Sequence, residues 1–261
     1  MRVVITRPAG DAPAWVDALK AAGHQALALA LIDVGPATHR QPLAQAWTRW
    51  GSYQAVMFVS AQAVRYFFQS QPSGVPWADG PRCWATGPGT HKALLQAGVP
   101  DACIDSPAAD AAQFDSEALW QRVVHQVQVG QTVLIVRGHD MDEESPHPAT
   151  GSGRDWLAQQ LEAAGALPQF VVAYERRAPV WTHQQLTQAT QAAIDGSVWC
   201  FSSSQAIQHL ALALPTQSWV KARCLATHAR IAHAAQTLGF GEVHLTRPSV
   251  SDVLRSLECL A

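Results

Sequence analysis

Charge is scarce in this sequence. Lysine, arginine, aspartate and glutamate make up 15% of 261 residues and nearly cancel, leaving a formal net charge of −2. That balance supplies neither the basic field that recruits nucleic acid nor an acidic tail. Long apolar runs are absent too. No stretch approaches the roughly 20 residues that span a bilayer, so neither nucleic acid nor membrane is expected as a partner. The apolar run in the opening "MRVVITRP" is too short for the core of a signal peptide, and a cytoplasmic location is expected. Cysteine is sparse: Cys83, Cys103, Cys200, Cys224 and Cys259 are an odd number, far apart and without C-x-x-C. Such spacing argues against a disulfide framework and a zinc site, and buried reduced thiols are expected instead. Neither H-E-x-x-H, G-x-x-x-x-G-K-[ST] nor G-x-G-x-x-G occurs, so the metalloprotease, P-loop and dinucleotide fingerprints are missing. His139 and His147 fall in an acidic stretch where a metal would be adventitious, and no motif calls for a cofactor.

What the chain does have is apolar residues, 48% of the total, enough to fill one large or two ordinary domains. Their pattern occurs twice. "FVSAQAV", Phe58 to Val64, returns as "FSSSQAI", Phe201 to Ile207; "WATGPGTHKALLQAGV" is matched by "LATHARIAHAAQTLGF". Thr86 then aligns with Thr227, Gly98 with Gly239 and Pro107 with Pro248, all at one offset. "VVITRP" resembles "VLIVRG", and each leads into a helical run closing on Gly23 or Gly165. The second copy carries an inserted acidic, Pro- and Gly-rich loop over 139–152. One α/β unit is used twice.

Within each copy short apolar runs bounded by Gly, Pro, Ser or Thr alternate with alanine-rich helical segments. Strand and helix in alternation imply parallel sheets covered on both faces. The fold class is therefore α/β, with two similar doubly wound, flavodoxin-like domains. Composition alone places a tandem cut near residue 128.

In such sheets the residues just past the carboxyl ends of the strands line the ligand crevice. Ser60, followed by Ala61 and Gln62, stands there in one copy, and Ser202, Ser203 and Ser204 in the other. Either serine serves simply as an N-cap, or the helix start also presents amides to a carboxylate or phosphate; both readings stand. Thr86, Gly87, Pro88 and Gly89 end the next strand of the first copy, with two glycines that admit close backbone approach or merely make a turn. Thr227, His228 and Arg230 hold the equivalent place.

Taken in order, "ITRP", "FVSAQAV", "TGPGT", "LIVRG", "GRDWLAQQLEAAGA", "VVAYERRAP", "FSSSQAI" and "ATHARIA" with "AQTLGF" resemble the uroporphyrinogen-III synthase family over nearly the whole chain. Gln62 stands where that family often has Asn, and the 139–152 loop is long. The resemblance implies two α/β domains joined by a two-stranded linker, the first strand and helix completing the C-terminal domain. On that pattern 1–36 with 176–261 form one domain and 37–175 the other. The linker strands would be "ALALALIDV" and "FVVAYERRA", and a hinge is expected where the chain crosses.

The implied reaction cyclises hydroxymethylbilane, a linear tetrapyrrole, to uroporphyrinogen III, with loss of water and inversion of ring D. Such chemistry asks for conformational control and stabilisation of a cationic azafulvene more than for a nucleophile. Tyr174, in "VVAYERRAP", is the implied acid for the departing hydroxyl, since a phenol is protonated at neutral pH; otherwise it is a packed strand tyrosine. The polyanionic substrate would meet the strand ends named above, together with Thr6, Arg7, Arg137 and Gly138, and Arg176 as a further cation. A monomer is expected, with at most transient contact with the preceding pathway enzyme. The competing class is a non-enzymatic two-lobed sensor of an anionic metabolite, and a phosphate-sugar enzyme comes third.

Overall fold

The computed structural model describes residues 1–73, 80–107, 116–141 and 155–260. The chain falls into two compact units, Met1–Val34 with Arg177–Ala261 and Gly35–Arg176, rather than dividing in tandem near residue 128.

The first unit holds a five-stranded sheet. Its strands are β1 (Arg2–Ile5), β2 (Gln25–Ala28), β9 (Val198–Phe201), β10 (Arg223–Ala226) and β11 (Glu242–Leu245), in the order β11-β10-β9-β1-β2. Every pairing is parallel. Residues alternate across a strand, so Val4, Trp199, Phe201, Cys224 and Ala226 share a core on one face. That core is filled from α7 (His183–Ala192), α8 (Ser204–Ala213) and α9 (Ala229–Leu238). Val3, Ile5, Val198, Cys200 and Leu225 face the other way, against α1 (Ala12–Ala21) and α10 (Val250–Glu258).

The second unit contains the sheet order β3-β8-β7-β4-β5-β6, from β3 (Asp33–Pro36), β4 (Ala55–Phe58), β5 (Arg82–Ala85), β6 (Ile104–Asp105), β7 (Thr132–Asp140) and β8 (Leu167–Arg177). The β4–β5, β4–β7, β5–β6 and β7–β8 pairings are parallel. Helices α5 (Ser116–Val123) and α6 (Trp156–Ala163) pack a core with Ala55, Met57, Trp84, Val133 and Ile135. Helices α2 (Gln41–Thr48) and α3 (Ala61–Gln69) contribute an aromatic cluster in which Trp47 and Phe58 meet Phe67, with centroids 4.5 and 5.5 Å away.

The duplication is visible in the topology. If β1 is matched with β7, β2 with β8 and β9, β10 and β11 with β4, β5 and β6, both sheets have one order, with β3 added at an edge. The chain reverses direction across each sheet between β1 and β9 and between β7 and β4, so those are the positions where a crevice opens past the strand ends. Gly23 and Gly165, the matched helix ends, have φ of +82° and +81°, the left-handed conformation that stops a helix.

Several expectations are corrected. "ALALALIDV" is not one linker strand: β2 ends at Ala28, and β3, which joins the other sheet, begins at Asp33. Between them Leu29 and Leu31 sink fully into the first unit's core, which breaks the extended run. The inserted loop does not start at residue 139. His139 and Asp140 still belong to β7, both buried and paired with Glu175 and Arg176; His147 and the rest of the loop from residue 142 lie outside the described residues. Of the five thiols only Cys83, Cys200 and Cys224 are buried; Cys103 is half-buried and Cys259 exposed, at chain positions with little core to cover them.

Candidate active site

In the second unit, three predicted residues from different strands meet. Ser60 follows β4 and is the N-cap of α3, where its Oγ accepts the Ala63 amide proton at 3.1 Å. The same Oγ lies 3.2 Å from Oη of Tyr174 on β8. Tyr174 is 5% exposed, so the residue as a whole is packed into the unit. A hydroxyl has one proton and two lone pairs. Because Ser60 Oγ already accepts from Ala63, its own proton can go to Tyr174 Oη, which leaves the phenol O–H for a third group.

The third residue is Gly138 on β7, directly across from Tyr174 in the register. The Tyr174 ring is stacked on Tyr66 with centroids 6.0 Å apart and 22° between planes. The Arg176 guanidinium sits 5.9 Å from the Tyr174 ring centre. Arg176 is gripped by both carboxylate oxygens of Asp140, its Nη2 donating at 2.9 Å, a fork geometry that fixes an arginine firmly.

Other predicted residues of this unit line the same end of the sheet. Ala61 and Gln62 open α3, and first-turn amides have no carbonyl of their own helix to bond. Thr86 follows β5 and donates through Oγ1 to the Val59 carbonyl at 3.1 Å. Gly87 is the N-cap of α4 (Pro88–Gln96) in an extended conformation, and a Cβ at Gly89 would meet nothing within 4 Å. Arg137 is directed elsewhere. Strand alternation turns it away from Gly138, and its buried guanidinium donates to Asp155 at 2.7 Å and lies 4.1 Å from the Phe170 ring. Glu175, next to Tyr174 in the chain, is buried and accepts from the amide and hydroxyl of Thr38 at 2.8 and 2.7 Å, which anchors the chain there. The remaining arginine of that run, Arg177, stands 3.4 Å from Asp33.

The first unit's strand ends form a second, smaller group. Arg7, half-buried, lies over Trp15 with its guanidinium carbon 4.1 Å from the ring centre. The two line a pocket with Cys200, Ser202, Thr227 and Thr246. Burial pulls the Arg7 guanidinium below its ordinary pKa against the opposing influence of Asp11 and Cys200; it remains a cation at neutral pH. Thr6 is turned inward and donates to the Cys200 carbonyl at 2.7 Å, so it ties β1 to β9. Ser203 occupies the N-cap of α8 without a side-chain capping bond, and Ser204 begins that helix. His228 is the N-cap of α9 and accepts the Arg230 amide proton at 3.1 Å, with both side chains exposed. Sequence reasoning missed Asp140 and Tyr66. Asp140 was hidden by its assignment to a loop, although an acid two residues past Gly138 faces an arginine two residues past Tyr174.

Among the described residues no cluster of His, Cys, Asp and Glu could hold a metal ion, and no helix is long and apolar enough to cross a membrane. A family model described as uroporphyrinogen-III synthase HemD matches residues 13–254. The chain is 27% identical over 266 residues to the uroporphyrinogen-III synthase of Salmonella typhimurium, a match that covers 99% of this chain and 100% of that protein. Among solved structures, the uroporphyrinogen-III synthetase of Helicobacter pylori shares the fold at TM-score 0.58 with 16% identity, covering 100% of both chains. A mutant uroporphyrinogen III synthase of the extremely thermophilic bacterium Thermus thermophilus does so at TM-score 0.52 with 13% identity, over 99% of this chain and 98% of that one.

Proposed function

The chain belongs to the uroporphyrinogen-III synthase family, and from that premise we propose that it closes hydroxymethylbilane to uroporphyrinogen III, with loss of water and inversion of ring D. The observation that carries the mechanism is the Ser60–Tyr174 contact of 3.2 Å. Tyr174 gives its phenolic proton to the departing hydroxyl, which leaves as water. Ser60, fixed as a helix cap by Ala63, donates to Oη and steadies the phenolate as it forms. The substrate is left as a cationic azafulvene; the substituted α-carbon of ring D attacks it to form a spiro intermediate, the bond from that carbon to its original methylene bridge breaks to leave a second azafulvene, and the free α-carbon of the now inverted ring D closes on it, its lost proton restoring the phenol. General acid assistance of this kind contributes about 10²–10⁴-fold; holding the two ends together supplies a further large share.

The substrate's carboxylates are taken by strand-end donors rather than by a basic surface. In the second unit these are the first-turn amides at Ala61 and Gln62, Thr86 and the Gly87–Gly89 turn. In the first unit they are Arg7 on its Trp15 platform, Ser202 to Ser204, Thr227, His228 and Arg230. Arg137, committed to Asp155, is left out. We assign the reaction to the cytoplasm, as buried free thiols at Cys83, Cys200 and Cys224 suit a reducing compartment, and the working form is a monomer. Incubating the pure protein with freshly made hydroxymethylbilane and scoring isomer III against the spontaneous isomer I tests the proposal. Excess isomer III is expected; a product mixture matching the blank overturns it.

A further inference from the structure

Nothing in the backbone of β7 demands glycine at position 138. The strand continues to Asp140, and Gly138 is not among the glycines with positive φ. The demand comes from Tyr174. A Cβ placed on Gly138 would stand 2.5 Å from Tyr174 Cζ, 2.6 Å from Cε2 and 2.9 Å from Oη, where carbon atoms in contact sit at about 3.5–4.0 Å. The phenol therefore rests on bare backbone, closer than any side chain at 138 permits.

The register makes this contact. Arg137 pairs with Val172, but the next residue, Gly138, pairs with Tyr174, so Ala173 is an extra residue on β8. Bulges of this kind re-aim side chains beside active sites. Without it Gly138 would oppose Ala173, and Tyr174 would oppose the buried His139. The carbonyl of the extra residue is tied down by the Ala37 amide at 3.3 Å.

We propose that Gly138 is a positioning residue for the cyclisation: with the bulge at Ala173 it sets the depth of the Tyr174 ring, so that Oη meets Ser60 and the phenol O–H is free to reach the leaving hydroxyl. The inference rests on the reading of Tyr174 as the acid, and its test separates the two. Kinetic constants are measured for Gly138→Ala, Tyr174→Phe and the double variant. Gly138→Ala is expected to lower kcat at least about tenfold with KM within about twofold, and the double variant to fall within about twofold of Tyr174→Phe alone. Full turnover in Tyr174→Phe removes the acid role. Impaired Tyr174→Phe beside an unimpaired Gly138→Ala, or losses that multiply in the double variant, overturn the positioning role while the acid role stands.

Two readouts do not depend on turnover. The chain has only three tyrosines, so ring-carbon-labelled tyrosine gives three NMR signals assignable by Tyr→Phe variants. Gly138→Ala should move those of Tyr174 and its stacking partner Tyr66 and leave that of Tyr53 in place; an unmoved Tyr174 signal overturns the proposal. If Gly138→Ala proves poorly folded, its loss of thermal stability is compared with the loss in a Tyr174→Ala background. Relief by removal of the ring supports the contact, and an equal loss in both backgrounds refutes it.

Discussion

Ser60 and Ser203 occupy matching places in the repeated motif, yet Ser60→Ala and Ser203→Ala should behave very differently. Ser60 makes two bonds, 3.1 Å from the Ala63 amide and 3.2 Å to Tyr174 Oη; Ser203 makes no side-chain capping bond. Loss of a serine cap costs about 1 kcal/mol. Removing the second bond costs about another 1 kcal/mol, more if the buried Tyr174 hydroxyl finds no replacement. Ser60→Ala should therefore destabilise its unit by about 2 kcal/mol, a fall of roughly 4–8 °C in Tm for a domain of this size. Ser203→Ala should stay within about 0.5 kcal/mol of the parent. Urea unfolding followed by circular dichroism measures both, with unchanged m-values as the check that only stability moved. Turnover at saturating substrate should fall in Ser60→Ala because the phenolate loses its donor. Equal losses of stability in the two variants would refute the assignment of the Ser60 bonds, and full turnover in Ser60→Ala would refute its part in the acid step.

Two further outcomes follow from the same structure. Thiol-specific labelling of the native protein should modify Cys259 fastest and Cys103 more slowly, while Cys83, Cys200 and Cys224 react only after denaturation; burial pushes the last two up to about 12 and raises Cys83 as well, and fast labelling of any of these three would contradict the packing. Asp195 has its pKa lowered: burial alone would raise it, but hydrogen bonds from the Ser197 side chain and amide, with the charge of Arg2, more than offset that. A carboxylate depressed in the folded state adds stability above its unfolded value near 4, and the contribution disappears as pH falls through the folded value. Ser197→Ala should therefore flatten the acid limb of the stability profile below about pH 4; an unchanged limb would remove Asp195 from the linkage.

Much of the architecture was legible because it is encoded locally. Short apolar runs and helix-ending glycines identified strands and helices such as β4, β9, α1 and α6, and the repeat of "FVSAQAV" as "FSSSQAI" announced one α/β unit used twice. The reading failed where a local pattern was ambiguous. "ALALALIDV" has the composition of one strand, and only the burial of Leu29 and Leu31 in a core shows why it breaks. His139 and Asp140 look like the start of an acidic loop, and only their pairing with Glu175 and Arg176 keeps them in β7. Arg7 and Arg137 come from matching motifs, yet one lies on Trp15 and the other is committed to Asp155.

The sequence by itself determined the doubled α/β plan, the family, and a short list of polar residues past the strand ends, because hydrophobic period, turn residues and repeats are properties of neighbours along the chain. Which members of that list touch was decided by tertiary structure. Ser60 just past β4, Gly138 on β7 and Tyr174 on β8 are far apart in the chain, and their meeting depends on sheet order and on a single extra residue in β8. Strand register is set by the packing of whole faces, so no window of sequence contains it.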